Sequence, residues 1–244
     1  MKLNTKRTFL VGFAFLSICA FWQLYDNVIP LILKNTFKIG DTLSGALMAA
    51  DNVLALFMLP LFGGISDRTK TKIGKRMPFI LAGTAVAAAA MNFLAFADKN
   101  ENLWLFLACL GLTLVAMATY RSPAVALMSD VTPKQLRSKA NAIINLMGTV
   151  GGLFSLVLIM ILMPDSGKVD YTPFFGAVSA LMVFAVVVLF ATVKENKLVD
   201  EREELEKLYP TEDDLEAQSG NAEFSKEVKT SFRRILFSIF FFFM

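Results

Sequence analysis

The chain has 244 residues, of which 55% are hydrophobic and 18% charged, with a mean hydropathy of +0.56. A soluble domain of this size needs more polar surface than that, so a water-solvated globule is excluded and the bilayer is the natural solvent. The net charge is only +3, there is no histidine, and the two cysteines, Cys19 and Cys109, both lie inside apolar runs. A disulfide framework, a zinc or other metal site and a histidine proton relay are therefore not expected, and no cofactor is implied.

Six apolar runs follow one another, at about 9–33, 42–65, 77–97, 103–128, 140–163 and 173–193. Each is near the roughly 20 residues that a helix rising about 1.5 Å per residue needs to cross the hydrocarbon. The pattern predicts an all-α membrane protein with a six-helix transmembrane domain over 1–193. The first run is too long for a signal-peptide core and has no small-residue cleavage site before Trp22-Gln23-Leu24-Tyr25-Asp26-Asn27, so it reads as a retained helix.

Lys2, Lys6 and Arg7 precede the first run, Arg68, Lys70, Lys72, Lys75 and Arg76 join the second to the third, and Lys134, Arg137 and Lys139 join the fourth to the fifth. The alternate loops hold only Lys34, Lys38, Lys99 and Lys168. The positive-inside rule places the N-terminus and the 68–76 loop in the cytoplasm of a multi-pass plasma-membrane protein. Each basic cluster sits within a few residues of a membrane segment, so lipid is the expected partner and nucleic acid is not.

Residues 194–231 are acidic, with twelve carboxylates from Glu195 to Glu227, and read as a cytoplasmic connector whose charges serve solvation. Leu198, Leu205 and Leu208 with Glu201, Glu203, Glu204 and Lys207 predict one amphipathic helix, ended by Pro210. Residues 232–244 turn apolar again behind Arg233-Arg234 and read as the start of a seventh helix halted mid-membrane, as in a truncated chain. Within the six runs, Tyr25-Asp26 before Pro30 and Tyr120-Arg121 before Pro123 suggest two inverted sets of three helices.

Asp26, Asp51 and Arg121 are the charges deepest inside apolar segments. Such a residue costs about 2.5–3.5 kcal/mol near the bilayer centre on insertion scales, so a functional site is the default reading and a static interhelix pair the alternative. Asp26 and Asp51 both lie roughly 12–14 Å below the outer surface by helix rise. Two carboxylates at one level favour a shared proton or a captured cation such as sodium, with Asn27 and Asn52 as further oxygen ligands. Arg121 is expected one to three turns below Asp26. Trp22, Gln23, Tyr25 and Asn27 combine an aromatic face with amide and hydroxyl groups, as a sugar site needs; an interfacial aromatic belt fits the two aromatics equally well. Gly148 and Gly152 permit close helix packing.

The stretch from Gly63 to Ile80, Gly-Gly-Ile-Ser-Asp-Arg-Thr-Lys-Thr-Lys-Ile-Gly-Lys-Arg-Met-Pro-Phe-Ile, resembles the signature loop between helices two and three of the major facilitator superfamily. Its ending is similar to that of the glycoside–pentoside–hexuronide cation symporters and sucrose transporters, and residues 122–133 resemble the end of helix four in the same group. The resemblance covers residues 9–244 and implies the N-terminal six-helix half, the central loop and the start of helix seven, with the C-terminal half as missing partner. It implies a cytoplasmic latch of Gly63, Asp67, Arg68, Gly74, Lys75 and Arg76, with Asp130 and Arg137 as charge partners. Gly63 is expected to let helices approach and Asp67 to cap a helix N-terminus. Where sucrose transporters carry an arginine two residues past the helix-four proline, this chain has Val125. The function implied is cation-coupled symport of a sugar or glycoside by alternating access. The alternative is a half-transporter without activity or a membrane interaction module, and no nucleophile–base set or phosphate loop points to an enzyme.

Overall fold

A computed structural model describes residues 3–162, 169–210 and Arg234 of the chain. The helices are α1 (Thr5–Asn35), α2 (Asp41–Arg68), α3 (Met77–Lys99), α4 (Leu103–Val131), α5 (Arg137–Leu162), α6 (Thr172–Thr192) and α7 (Glu195–Leu208), with a 3-10 turn at Lys134–Leu136 before α5. Among the described residues, α1 to α6 are long and apolar enough to cross a membrane. The amphipathic helix expected in the connector is α7, and it ends before Pro210. The segment expected to start a seventh spanning helix lies outside the described residues apart from Arg234.

Helix starts follow local chemistry. Asn4 caps α1 by accepting from the Arg7 amide at 3.2 Å, and Asn102 caps α4 by accepting from Leu105 at 3.1 Å. Pro78 and Pro173 sit in the first turns of α3 and α6, where a missing N–H removes a donor that has no helical partner. Pro30, Pro60 and Pro123 lie inside α1, α2 and α4. Interior prolines are tolerated in spanning helices because neighbouring helices and hydroxyl side chains satisfy the freed backbone.

The chain divides into two compact units, Met1–Glu203 and Glu204–Met244; the second contributes the end of α7 and a helical residue at Arg234. In the first, α1 packs on α5 and α6, α4 packs on α2 and α3, and α3 packs on α6. Exchanging α1 with α4, α2 with α5 and α3 with α6 maps the α1 pairings onto the α4 pairings and α3–α6 onto itself. That is the pattern two inverted three-helix sets produce, and it agrees with the Tyr25-Asp26 and Tyr120-Arg121 similarity.

The core runs along α1, α3, α4 and α6, around fully buried Phe106, Tyr120, Tyr171, Phe174 and Phe175. Hydroxyls tie the helices together inside it. The Ser17 and Tyr120 hydroxyls hydrogen-bond one another and both lie 2.8 Å from the Ala14 carbonyl, which accepts from this pair and joins α1 to α4. Ser155 of α5 donates to the Ala20 carbonyl at 2.7 Å. The outermost helix is α2: only Ser44 and Ser66 are buried in it, while Val53, Leu56, Phe57 and Leu61 are exposed and need lipid or protein to cover them.

Small residues set the α1–α5 distance. A Cβ on Gly148 would stand 2.8 Å from Cys19 Sγ and one on Gly152 would stand 3.2 Å from Gln23 Cγ, so both expected packing glycines lie on the seam. The tightest position is one between them: a Cβ on Gly151 would fall 2.0 Å from the Leu16 carbonyl oxygen, a backbone atom that cannot rotate away. Gly151→Ala should therefore destabilise the bundle by about 1–3 kcal/mol, the usual cost of overpacking. Gly111→Ala, whose new Cβ meets nothing within 4 Å, should be neutral or stabilising. Thermal melts of the two variants in one detergent check this contrast.

Candidate functional site

Two groups of polar residues interrupt the apolar bundle. The first lies between α1, α2 and α4, in a small pocket lined by Trp22, Asp51, Leu54, Ala55, Leu59, Leu114, Ala118 and Arg121. Arg121 is held over the Trp22 ring with its guanidinium carbon 5.3 Å from the ring centroid, a cation–π arrangement. Trp22 is braced edge-on by Phe21 and Tyr25, with ring centroids at 5.2 and 5.3 Å. Trp22 lies one helical turn before Asp26, so Arg121 sits within about a turn of Asp26, at the near end of the range expected from straight helices.

Among the described residues no ion pair joins Arg121 to Asp26 or Asp51. Asp51 Oδ1, Trp22 Nε1 and the Tyr25 hydroxyl are all buried without a hydrogen-bond partner. An unmade hydrogen bond at a buried polar atom costs about 1–3 kcal/mol, and three such atoms in one neighbourhood mark a place built for something that brings donors and acceptors.

Not every expected residue joins the pocket. Asp26 is exposed on the same helix. Asn27 donates to the Gln23 carbonyl at 2.7 Å and to Gln23 Oε1 at 3.3 Å, so its amide is tied to its own helix. Gln23 faces Gly152 of α5, and Asn52 is exposed. Tyr25 is buried, stacked on Phe21 at 5.9 Å. The strongly exposed aromatic that suits a membrane interface is Trp104, at 82%, and not Trp22.

The second group lies at the end of the bundle where α2, α4 and α7 meet the α2–α3 loop. Arg76, with 5% of its side chain exposed, uses all three of its nitrogens. Nε donates to Asp130 Oδ2 at 2.8 Å, the guanidinium pairs with Asp67 and hydrogen-bonds Ser66 Oγ, and a longer bond of 3.4 Å reaches the Gly63 carbonyl. Lys75 adds a second cation on Asp130 at 3.2 Å. Asp67 and Asp130 both sit in the last turns of their helices, where the macrodipole disfavours negative charge; Arg76 and Lys75 are what offset it.

Three expectations for this group need correction. Asp67 caps no helix N-terminus: it ends α2, where the free backbone groups are carbonyls, and it pairs with Arg76 instead. Arg137 does not join the carboxylates; it donates to the Ser129 and Thr132 carbonyls at 3.0 and 3.4 Å and so closes the C-terminus of α4. Arg68 is exposed and takes no part.

The connector's first carboxylate is not solvated either. Glu195, 1% exposed, accepts from the backbone amides of Lys75, Arg76 and Met77 at 2.9–3.1 Å and is the cap of α3. Gly74 makes room for it with a φ of +122°, and a Cβ there would stand 2.0 Å from Glu195 Oε2. Asn196 donates to the Thr71 and Lys72 carbonyls, both at 3.1 Å, and Arg7 of α1 pairs with Glu201 of α7. The sequence signal was an acid one residue past the last apolar turn of α6, which composition alone merged with the solvated acids behind it.

A family profile for the Major Facilitator Superfamily matches residues 11–244. The chain belongs to the major facilitator superfamily. It is 26% identical over 151 residues to the sucrose transport protein SUC3 of Arabidopsis thaliana, covering 54% of this chain and 25% of that protein. It is 26% identical over 184 residues to the lactose permease of Lactobacillus helveticus, covering 66% of this chain and 29% of that protein. The chain thus spans between a quarter and a third of the length of these curated relatives. The family and the six spanning helices make it a multi-pass membrane protein.

Loss of the Glu195 carboxylate strands three amides in a buried turn. Glu195→Ala should speed hydrogen exchange at Lys75, Arg76 and Met77 by at least about tenfold, the equivalent of roughly 1.4 kcal/mol of local protection. Unchanged exchange there, measured by mass spectrometry in lipid nanodiscs, would show that the cap contributes nothing.

Proposed function

We propose that this chain is the first six-helix half of a secondary active transporter that moves a sugar or glycoside together with a proton or sodium ion. What carries the proposal is the pocket: an aromatic face, a guanidinium and an unpartnered carboxylate oxygen converge between helices that are otherwise apolar. A pyranose has an apolar face for the Trp22 ring and hydroxyls for Arg121 and Asp51. Asp51 Oδ1 is the place for a mobile cation, with Asp26 as the second carboxylate at this depth, because a buried carboxylate is stabilised by a proton or a hard metal ion and neutralised by either. The named relatives, a sucrose transport protein and a lactose permease, agree in substrate class.

Alternating access works by rocking two six-helix halves around a midplane site, so a second half is the partner that covers the exposed apolar face of α2. Arg76, held by Asp67, Asp130 and Ser66, is the latch at one end of that motion. The basic residues at this end support a cytoplasmic side for it and for the N-terminus in a plasma-membrane protein.

The test uses the transporter with both halves in liposomes. Counterflow with a panel of sugars, with and without a sodium gradient, should reveal one stereochemical class of substrate, and Asp51→Asn should abolish accumulation against a gradient while exchange persists. Undiminished uphill uptake by Asp51→Asn would remove Asp51 from coupling. Asp67→Ala should slow turnover with little change in affinity, because a latch shifts populations without touching ligand.

A further inference from the structure

Leu59 of the pocket and Gly63 of the latch are about one helical turn apart on α2, and Ser122 of α4 touches the backbone between them. Ser122 follows Arg121, which lines the pocket. Its hydroxyl donates at 2.9 Å to the carbonyl of Leu59, another pocket-lining residue. Pro60 comes next, and its missing N–H leaves the Leu56 carbonyl without its helical donor, so the turn just before is loosened. Gly63 closes the turn, and a Cβ on it would stand 2.9 Å from Ser122 Oγ. The Gly63 carbonyl in turn accepts from Ser66 Oγ at 2.9 Å and from the Arg76 guanidinium at 3.4 Å. The turn Leu59–Gly63 therefore carries the pocket at one end and the latch at the other, and Ser122 is seated on it.

We propose that Ser122 is a positioning residue that couples the pocket to the latch, by fixing the Leu59–Gly63 turn, which follows the turn loosened by Pro60, against the residue next to Arg121. A shift of Arg121 drags the adjoining Ser122 hydroxyl, and with it the Leu59 carbonyl. The Gly63 carbonyl then moves in the socket of Arg76. A direct hydrogen bond combined with a close contact is the kind of element that two sites bias jointly, and it supplies the physical link that mere intermediacy does not. The inference rests on reading the two polar groups as cavity and latch, yet its test involves no transport, so failure of substrate transport and failure of this coupling are read separately.

The chain has two tryptophans, Trp22 in the pocket and Trp104 exposed at the far side of the bundle. In a Trp104→Phe background in lipid nanodiscs, Trp22 is the sole fluorophore, and acrylamide quenching reports the tightness of its contact with Arg121. Breaking the latch with Arg76→Gln should raise the Trp22 quenching constant by roughly twofold, and the same change made on Ser122→Ala should leave it near its Ser122→Ala value, the non-additivity expected of coupled residues. Because Arg76 is buried, Gly63→Ala provides a second entry. It should raise quenching when Ser122 is present, through the 2.9 Å contact, and do so far less on Ser122→Ala, where the space is free. Equal effects of the latch changes with and without the Ser122 hydroxyl, in proteins that keep the parent's helix content, would overturn the proposal. No response of Trp22 to either change would overturn it as well.

Discussion

In hydrocarbon a polar group finds its partner inside the protein or goes without, and that constraint organises this molecule. Along α1, α4 and α5 it is met by hydroxyls: Tyr120 of α4 and Ser155 of α5 reach α1 carbonyls and so fix helix pairs, while Ser17 bonds within α1 and meets Tyr120. The interior prolines and the glycine seam at Gly148, Gly151 and Gly152 are the other side of the same economy, because they let backbones approach where nothing polar intervenes. Against that background the unpartnered atoms of Trp22, Tyr25 and Asp51 stand out. They gather on one side of α1, facing α2 and Arg121.

The latch obeys the opposite rule. Its carboxylates lie where helix dipoles oppose them, and its central cation is buried, so each group depends on the others being in place. Arg76 touches two helices and the loop, while Glu195 holds the amides of that loop from the start of α7. Removing Arg76 leaves Asp67 unpaired and Asp130 with Lys75 alone, and removing Glu195 leaves three amides without their acceptor. Such mutual dependence is what the proposed latch role calls for, since a gate needs groups that form or open together. The loop's Gly74 is part of it, since its positive φ both turns the chain and leaves the volume that the Glu195 carboxylate fills.

Much of the fold was legible in the sequence because span length and loop charge are one-dimensional quantities. Six runs of about the right length became six helices with nearly the expected limits, and the leucine spacing of the connector became α7. Depth was legible in part, since rise per residue put Asp26 and Asp51 at one level and Arg121 one to three turns below, and the Trp22 contact sets Arg121 at the near end of that range. Azimuth was not. These helices are apolar nearly all round, so the sequence carries little information about which side of α1 faces α2, and Asn27 and Asn52 were assigned to a site they do not enter. The roles of Asp67 and Glu195 depended on which helix end each approaches, a tertiary fact. Ser122 had no signal beyond its place after Arg121, because a serine in a membrane helix more often bonds its own preceding turn.

The central claim is that Trp22, Asp51 and Arg121 form a sugar-binding surface. The most direct measurement is the emission of Trp22 in the two-half transporter carrying Trp104→Phe, with any further tryptophans also replaced by phenylalanine, titrated with a series of mono- and disaccharides. The claim predicts a saturable change with one stereochemical series of sugars, lost in Asp51→Asn. Sugar uptake that proceeds while every sugar leaves Trp22 emission unchanged would contradict it and move the binding site elsewhere in the transporter.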